Sequence, residues 1–224
     1  MRGKEKVRKL AKLPIPEVLD ANHIQWLEQF LIDVTNKTNR YRYRHPDIKG
    51  CLVDETKNKC VYCESKIGHN TPGDVEHMVP TAINPNLHFI WINLTIACTE
   101  CNRRKNAYYS AELPFLDPYT DDIEDQIEHH GPIVGWKPNE TAAETSIRIL
   151  ELEGHTRIEL VMRKIEKIEE INNLVGRVMH EAGSPLGQVL SASLLRKADP
   201  SEEYSGMVKS VLERLGITNA IPED

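Results

Sequence analysis

The chain has 224 residues, 40% hydrophobic and 28% charged, which suits one large domain or a small catalytic core with a helical addition and excludes a disordered or fibrous protein. No apolar run approaches the roughly eighteen residues of a membrane helix, and the basic start MRGKEKVRKLAKLPIP leads into no apolar signal-peptide core; a cytoplasmic protein without membrane association is expected. The net charge of −6 conceals a division, since residues 1–110 hold 17 Lys and Arg against 12 Asp and Glu, whereas residues 111–224 hold 11 against 22. A basic first half suits phosphate, and an acidic second half suits a protein partner or solubility.

In chain order, residues 17–35 carry Ile24, Leu27, Leu31 and Val34 at helical spacing, which predicts a helix with that face inward. Residues 39–45, NRYRYRH, alternate arginine and tyrosine; a strand-like reading puts Arg40, Arg42 and Arg44 on one face for a nucleic-acid backbone, with a solvated connector as the alternative. A short helix is predicted over about 46–56. Residues 86–97, NLHFIWINLTIA, read as a strand, and the chain beyond Cys98 as helical. Residues 112–136 read as a connection with short strands near IEHH and PIVGW, leaving His129 and His130 at the surface. The remainder is helical: Thr141 with Glu144 and Thr156 with Glu159 fit capping boxes, Gly154 separates two helices, and Ile158, Val161, Ile165, Ile168, Ile171, Val175 and Val178 form a core stripe. Further helices are expected near 186–195 and 201–215. Trp26, Trp91 and Trp136 sit among apolar residues and are expected in the core.

Four of the five cysteines form two pairs of identical spacing, Cys60-Val-Tyr-Cys63 and Cys98-Thr-Glu-Cys101. One such pair could be a redox motif. Two pairs separated by about 35 residues match four-thiolate tetrahedral zinc, in which two knuckles clamp one ion. Cys51 has no partner and is expected to be buried in its helix. His77 lies between the knuckles; a lone histidine is usually structural, but zinc ties position 63 to position 98 and brings His77, Asn93 and Asn102 together.

The order Glu76-His77, Pro80, Asn93, Cys101-Asn102, Lys105, framed by the two cysteine pairs, resembles the HNH endonucleases, the zinc-stapled members of the ββα-metal nuclease fold. That resemblance implies His77 as general base, Asn93 as the holder of its loop, and Glu76 and Asn102 as oxygen ligands of one Mg²⁺ or Mn²⁺. Asp74 would orient His77 or support the ion, unless it is only a turn residue. Arg103, Arg104 and Lys105 would meet substrate phosphates flanking the cut; the alternative for such a triplet is a solvated helix face. Softer features, IKGCLVDETKNKCVYCE, DVEH, LDPYTDD and the tail EEYSGMVKSVLERLGI, resemble the HNH subunits of Septu-type and retron-associated antiphage systems, which implies an ATPase partner, met by the acidic C-terminal helices.

The expected architecture is α+β and mainly helical: a zinc-stapled ββα-metal core at 58–110, an N-terminal helical and basic segment at 1–57, an acidic connector at 111–138 and a C-terminal helical region at 139–224. The expected activity is metal-dependent hydrolysis of phosphodiester bonds in DNA. The alternatives are an RNA endonuclease, for instance against tRNA, and an inactive zinc-knuckle scaffold. A self-contained restriction endonuclease would need a target-reading domain, and none is evident.

Overall fold

The computed structural model describes residues 9–68 and 73–217; the basic first eight residues of the N-terminal segment lie outside the described residues. The described chain is mainly helical with short strands, and it divides into two compact units, Lys9–Asp121 and a second beginning at Asp122.

In the first unit, α1 (Glu17–Ile32) is followed by a turn of helix, α2 (Lys37–Arg40), a 3₁₀ turn (Tyr41–Arg44) and α3 (Pro46–Glu55). The inward face of α1 differs from the expected one. Ile24 is 65% exposed and Leu31 42%, whereas Leu19 and Phe30 are buried. The Leu19–His23–Trp26–Phe30 row has the same 3–4 spacing as the aliphatic row, and its aromatic rings have partners: Trp26 meets Phe89 edge-on at 5.7 Å, and Phe30 stacks on His88 at 4.2 Å. The NRYRYRH segment is helical rather than strand-like. Asn36 caps α2 by accepting from the Asn39 N–H, and Tyr43 turns inward while Tyr41 stays 40% exposed, so arginines and tyrosines do not separate onto two faces. Cys51, on α3, is half-buried rather than buried, its thiol 3.7 Å from the Pro14 carbonyl.

The centre of this unit is a two-stranded antiparallel hairpin, β1 (Gly73–His77) and β2 (Leu94–Cys98), running from Gly73 opposite Cys98 to His77 opposite Leu94. Val75, Leu94 and Ile96 of the hairpin and Ile48 and Leu52 of α3 are buried, and α3 packs on both strands. Gly73 is needed by close approach: a Cβ there would lie 2.8 Å from Ile67 Cδ1 and 3.0 Å from Ile96 Cδ1. The strand expected over 86–97 is realised only at its end. Pro85–Leu87 and Trp91–Asn93 are 3₁₀ turns, because Asn84 caps the first and the buried Phe89 and Trp91 rings anchor a loop rather than a pleat. After β2, α4 (Thr99–Lys105) completes a ββα unit.

The second unit contains α5 (Ile123–Gln126), a hairpin of β3 (Ile127–His130) with β4 (Ile133–Trp136), and the helices α6 (Thr141–Leu150), α7 (Ile158–His180), α8 (Pro185–Arg196) and α9 (Ser205–Arg214). Its α8 packs along α7, and α9 packs on α7 and β3. The stripe of α7 is partly shifted: Leu160, Ile171 and Val175 are buried, while Ile158 is 66% exposed. The two expected capping boxes do not form. The N-caps are Glu140 and Arg157, without side-chain cap bonds, and Thr156 Oγ1 donates to Glu151 instead. His129 is buried, 3.3 Å from the Glu124 carboxylate, whereas His130 is exposed; strand alternation turns one of two adjacent residues inward.

Candidate active site and metal centre

The four cysteines are buried and their Sγ atoms all lie within 4.8 Å of one another, Cys63 to Cys98 at 3.8 Å. A tetrahedron with Zn–S bonds of about 2.3 Å has S···S edges of roughly 3.8 Å, so the donor set and its size fit one zinc ion. The first knuckle is a tight turn in which the Cys60 N–H donates to Ser65 O and Glu64 N–H to Cys60 O, with Glu64 at φ 60°. The second opens α4, where the Cys101 N–H points at Cys98 Sγ at 3.4 Å. Val61 N–H donates to Ile96 O and fastens the first knuckle to β2. The cluster therefore sets the position of the hairpin that carries His77.

His77 ends β1 and lines an open cleft of about 170 Å³, with Arg40 of α2, Tyr43, Glu76, Thr81, His88 and Asn106 around it. Water needs only on the order of 15 Å³ of such volume, so several waters or a phosphate group fit. The His77 ring is held on three sides. It stacks on His88 at 4.8 Å with planes 5° apart, meets Tyr43 edge-on at 4.8 Å, and its Nε2 lies 3.0 Å from the His88 carbonyl. A carbonyl only accepts, so Nε2 carries the hydrogen, and in the neutral ring Nδ1 holds the lone pair. Burial, helped by His88, Lys105 and Arg40, lowers the His77 pKa to about 3, so the ring is neutral at all ordinary pH values.

His88 is anchored in turn. Its Nε2–H donates to the Arg40 carbonyl at 2.8 Å, which leaves Nδ1 to accept from the Thr81 hydroxyl at 2.8 Å. Burial lowers its pKa to about 4. Both folded values lie below the ordinary histidine value of 6.5, so the unfolded chain binds more protons between about pH 3 and 6.5, and stability falls as pH falls through that window. Between pH 7.5 and 5.5, each ring is expected to cost on the order of 1 kcal/mol of stability. Urea midpoints across this range, with zinc content verified, check it, and His88→Gln is expected to flatten the slope. A wild-type midpoint independent of pH would contradict the burial assignment.

Asn93 commits its side chain to the loop between the strands. Its amide nitrogen donates to the Val79 and Leu87 carbonyls, both at 3.1 Å, and its oxygen accepts from Val79 N–H at 2.8 Å. The Met78 N–H donates to the Asn93 carbonyl. This closes the loop directly behind His77.

Glu76 is 5% exposed and Lys105 1%; Lys105 Nζ donates to Glu76 Oε1 at 2.5 Å and to the His77 carbonyl at 2.9 Å. Burial raises the Glu76 pKa, and the lysine opposes that rise. Lys105 is thus inside the fold on a carboxylate, not on a surface awaiting phosphate. Arg103 and Arg104 both hold Glu100, at 2.8 and 2.7 Å, and lower its pKa to about 2. Asn102 is half-buried in α4, its carbonyl accepting from Asn106 N–H; among the described residues lining the cleft, the α4-end amide is Asn106. Sequence reasoning did not single out His88 or Asn106, which carry no local signal: each acquires its place through partners elsewhere in the chain.

Lys105→Met should destabilise the protein by about 3–5 kcal/mol, since it strands a buried carboxylate. The companion change Glu76→Gln should restore much of that loss. Urea denaturation of the single and double variants measures both; a stable Lys105→Met protein would return Lys105 to the role of a surface cation.

Residues 60–107 match the family model described as HNH endonuclease. The chain is also 31% identical over 183 residues to the Septu protein PtuB of Bacillus thuringiensis, covering 75% of this chain and 68% of that protein. A second Septu protein PtuB, from Bacillus mycoides strain KBAB4, is 22% identical over 219 residues, covering 75% of this chain and 74% of its own length.

Proposed function

Since the chain belongs to the Septu PtuB family and carries an HNH endonuclease domain, we propose that it is a metal-dependent endonuclease that hydrolyses DNA phosphodiester bonds as the effector of an antiphage complex with an ATPase. The observation that carries this reading is His77: a neutral imidazole in a fixed tautomer, with Nδ1 free of the His88 carbonyl, in a cleft with room for water and a phosphate. Nδ1 takes a proton from the attacking water, the stacked His88 and edge-on Tyr43 keep the ring in place, and the Nε2–H bond shares the imidazolium charge that develops.

Glu76 and Asn102 would hold a divalent ion, and the donor chemistry fits. Carboxylate and amide oxygens suit a hard cation, and a carboxylate has lone pairs to spare beyond the one Lys105 engages on Oε1. Mg²⁺ or Mn²⁺ would supply positive charge to the scissile phosphate and the leaving 3′ oxygen. In this reading Asn93 and the Glu76–Lys105 pair act before chemistry begins, by fixing the loop and strand that present His77.

The test is nicking of supercoiled plasmid with Mg²⁺ or Mn²⁺, run beside a structured RNA and repeated with a candidate ATPase partner. Plasmid cleavage is expected. Cleavage of RNA alone would replace the DNA assignment, and no cleavage of either nucleic acid with the ATPase present would refute the nuclease assignment.

A further inference from the structure

We infer that Arg40 is the residue that grips the substrate phosphate beside His77, its guanidinium standing as the free cation of the catalytic cleft. The inference rests on the nuclease reading above and adds a substrate-contacting residue to it.

The charges around the cleft isolate Arg40. Lys105 is consumed by Glu76, so that pair contributes no net charge. His77 gives its Nε2–H to the His88 carbonyl and His88 gives its own to the Arg40 carbonyl, so neither of these N–H groups is left for a phosphate. Among the described residues that line the cleft, the remaining cation is Arg40. A phosphodiester entering beside His77 therefore finds one protein cation there, besides any bound metal ion. Arg40 is exposed, and no hydrogen bond or ion pair of its guanidinium occurs among the described residues.

Its neighbours in NRYRYRH are occupied otherwise. Arg42 donates to Gln29 Oε1 and lies over the Trp26 ring, and Arg44 lies over Tyr41 at 4.7 Å and Tyr43 at 5.7 Å. The triplet after Asn102 is occupied too, since Arg103 and Arg104 share Glu100.

The backbone of Arg40 is also tied to the catalytic histidine through two rigid contacts. Its carbonyl accepts from His88 Nε2 at 2.8 Å, and the same His88 ring stacks on His77. Arg40 N–H donates to Asn36 O at 2.9 Å, closing the other side of the residue. The Cα of Arg40 is thus placed relative to His77, while its side chain keeps the freedom to close on a ligand. Arg40 is also near enough to His77, His88 and Tyr43 to oppose positive charge on the two rings and favour negative charge on the phenol. A planar guanidinium matches two non-bridging phosphate oxygens at once, which a lysine cannot do.

The test compares Arg40→Gln and Arg40→Lys with Lys37→Gln, a control with the same charge loss three residues away at an exposed position of α2. Melting temperatures of all three are expected near wild type. In plasmid nicking, Arg40→Gln should be roughly 10- to 100-fold slower, the range for losing a charged hydrogen-bonding partner; Arg40→Lys should recover only a minor part, and Lys37→Gln should stay within about threefold. In anisotropy titrations of a fluorescent DNA duplex and an RNA of matched length, with Ca²⁺ replacing Mg²⁺, the slope of log K against log salt should fall by about one for Arg40→Gln.

Wild-type nicking and binding in Arg40→Gln would overturn the inference, as would full rescue by lysine. If the wild type cleaves neither plasmid nor RNA, the nuclease reading fails separately, and the titrations decide Arg40 alone: a reduced slope supports the phosphate contact, and an unchanged slope rejects it.

Discussion

Removing the metal from the four-cysteine cluster, by chelation or by Cys60→Ser, is expected to unfold the Lys9–Asp121 unit. Apparent zinc-binding free energies in small structural sites are about 10–16 kcal/mol at pH 7, comparable to or larger than the whole stability of a typical domain at about 5–15 kcal/mol. The unit has little to put in its place: its sheet is two strands of five residues each, and the cluster joins the turn at 60–63 to the junction of β2 with α4. Burial also pushes the Cys60 thiol well above its ordinary pKa, whereas hydrogen bonds from Cys101 and Cys60 lower that of Cys98. Hydrogen exchange resolves the outcome by region. Amides of β1 and β2 should lose protection on chelation, while those of α7 should keep theirs. Protein stripped below about a tenth of an equivalent of zinc that still protects β1 and β2 would show that the hydrophobic core suffices without metal.

His77→Ala should lower the cleavage rate by roughly 10²- to 10⁴-fold, the usual contribution of a positioned general base, with zinc content unchanged. Zinc retention matters because the cluster and His77 share the β1–β2 hairpin; loss of both would mean the hairpin had come apart. The pH profile gives a second signature. With a pKa near 3, His77 is already unprotonated at pH 5.5, so its titration should add no inflection near 6.5 between pH 5.5 and 8. A base of such low pKa is weak, so its contribution comes from placement against the water rather than from proton affinity. Cleavage by His77→Ala within about threefold of wild type would remove His77 from the mechanism.

Much of the Lys9–Asp121 unit was legible in the sequence because its signals are local. Two-residue gaps between cysteines are what a metal knuckle needs, and the short helix over 46–55, the β3–β4 strands and the C-terminal helices follow from turn residues and periodicity. The Asn93 bonds to Val79 and Leu87 also span few residues. Local signals failed where two patterns of equal period competed. On α1 the aliphatic row Ile24, Leu27 and Leu31 and the mixed row Leu19, His23, Trp26 and Phe30 are equally helical; the rings of Phe89 and His88, some sixty residues later, selected the second. The capping boxes failed differently: Thr141 and Thr156 lie inside or before the actual caps, a shift of one residue that periodicity does not resolve.

The sequence by itself determined the chemistry available: four thiolates for zinc, a histidine between them, oxygen donors and a supply of basic side chains. Tertiary structure alone decided which of those groups are free to act. Lys105 and Arg40 look alike as cations in the sequence, yet Lys105 lies buried on Glu76, 29 residues away, while Arg40, pinned by its backbone to His88, 48 residues away, is an exposed residue lining the cleft. Charge and residue type are properties of a position, whereas burial, pairing and protonation depend on which distant groups the folded chain brings against it.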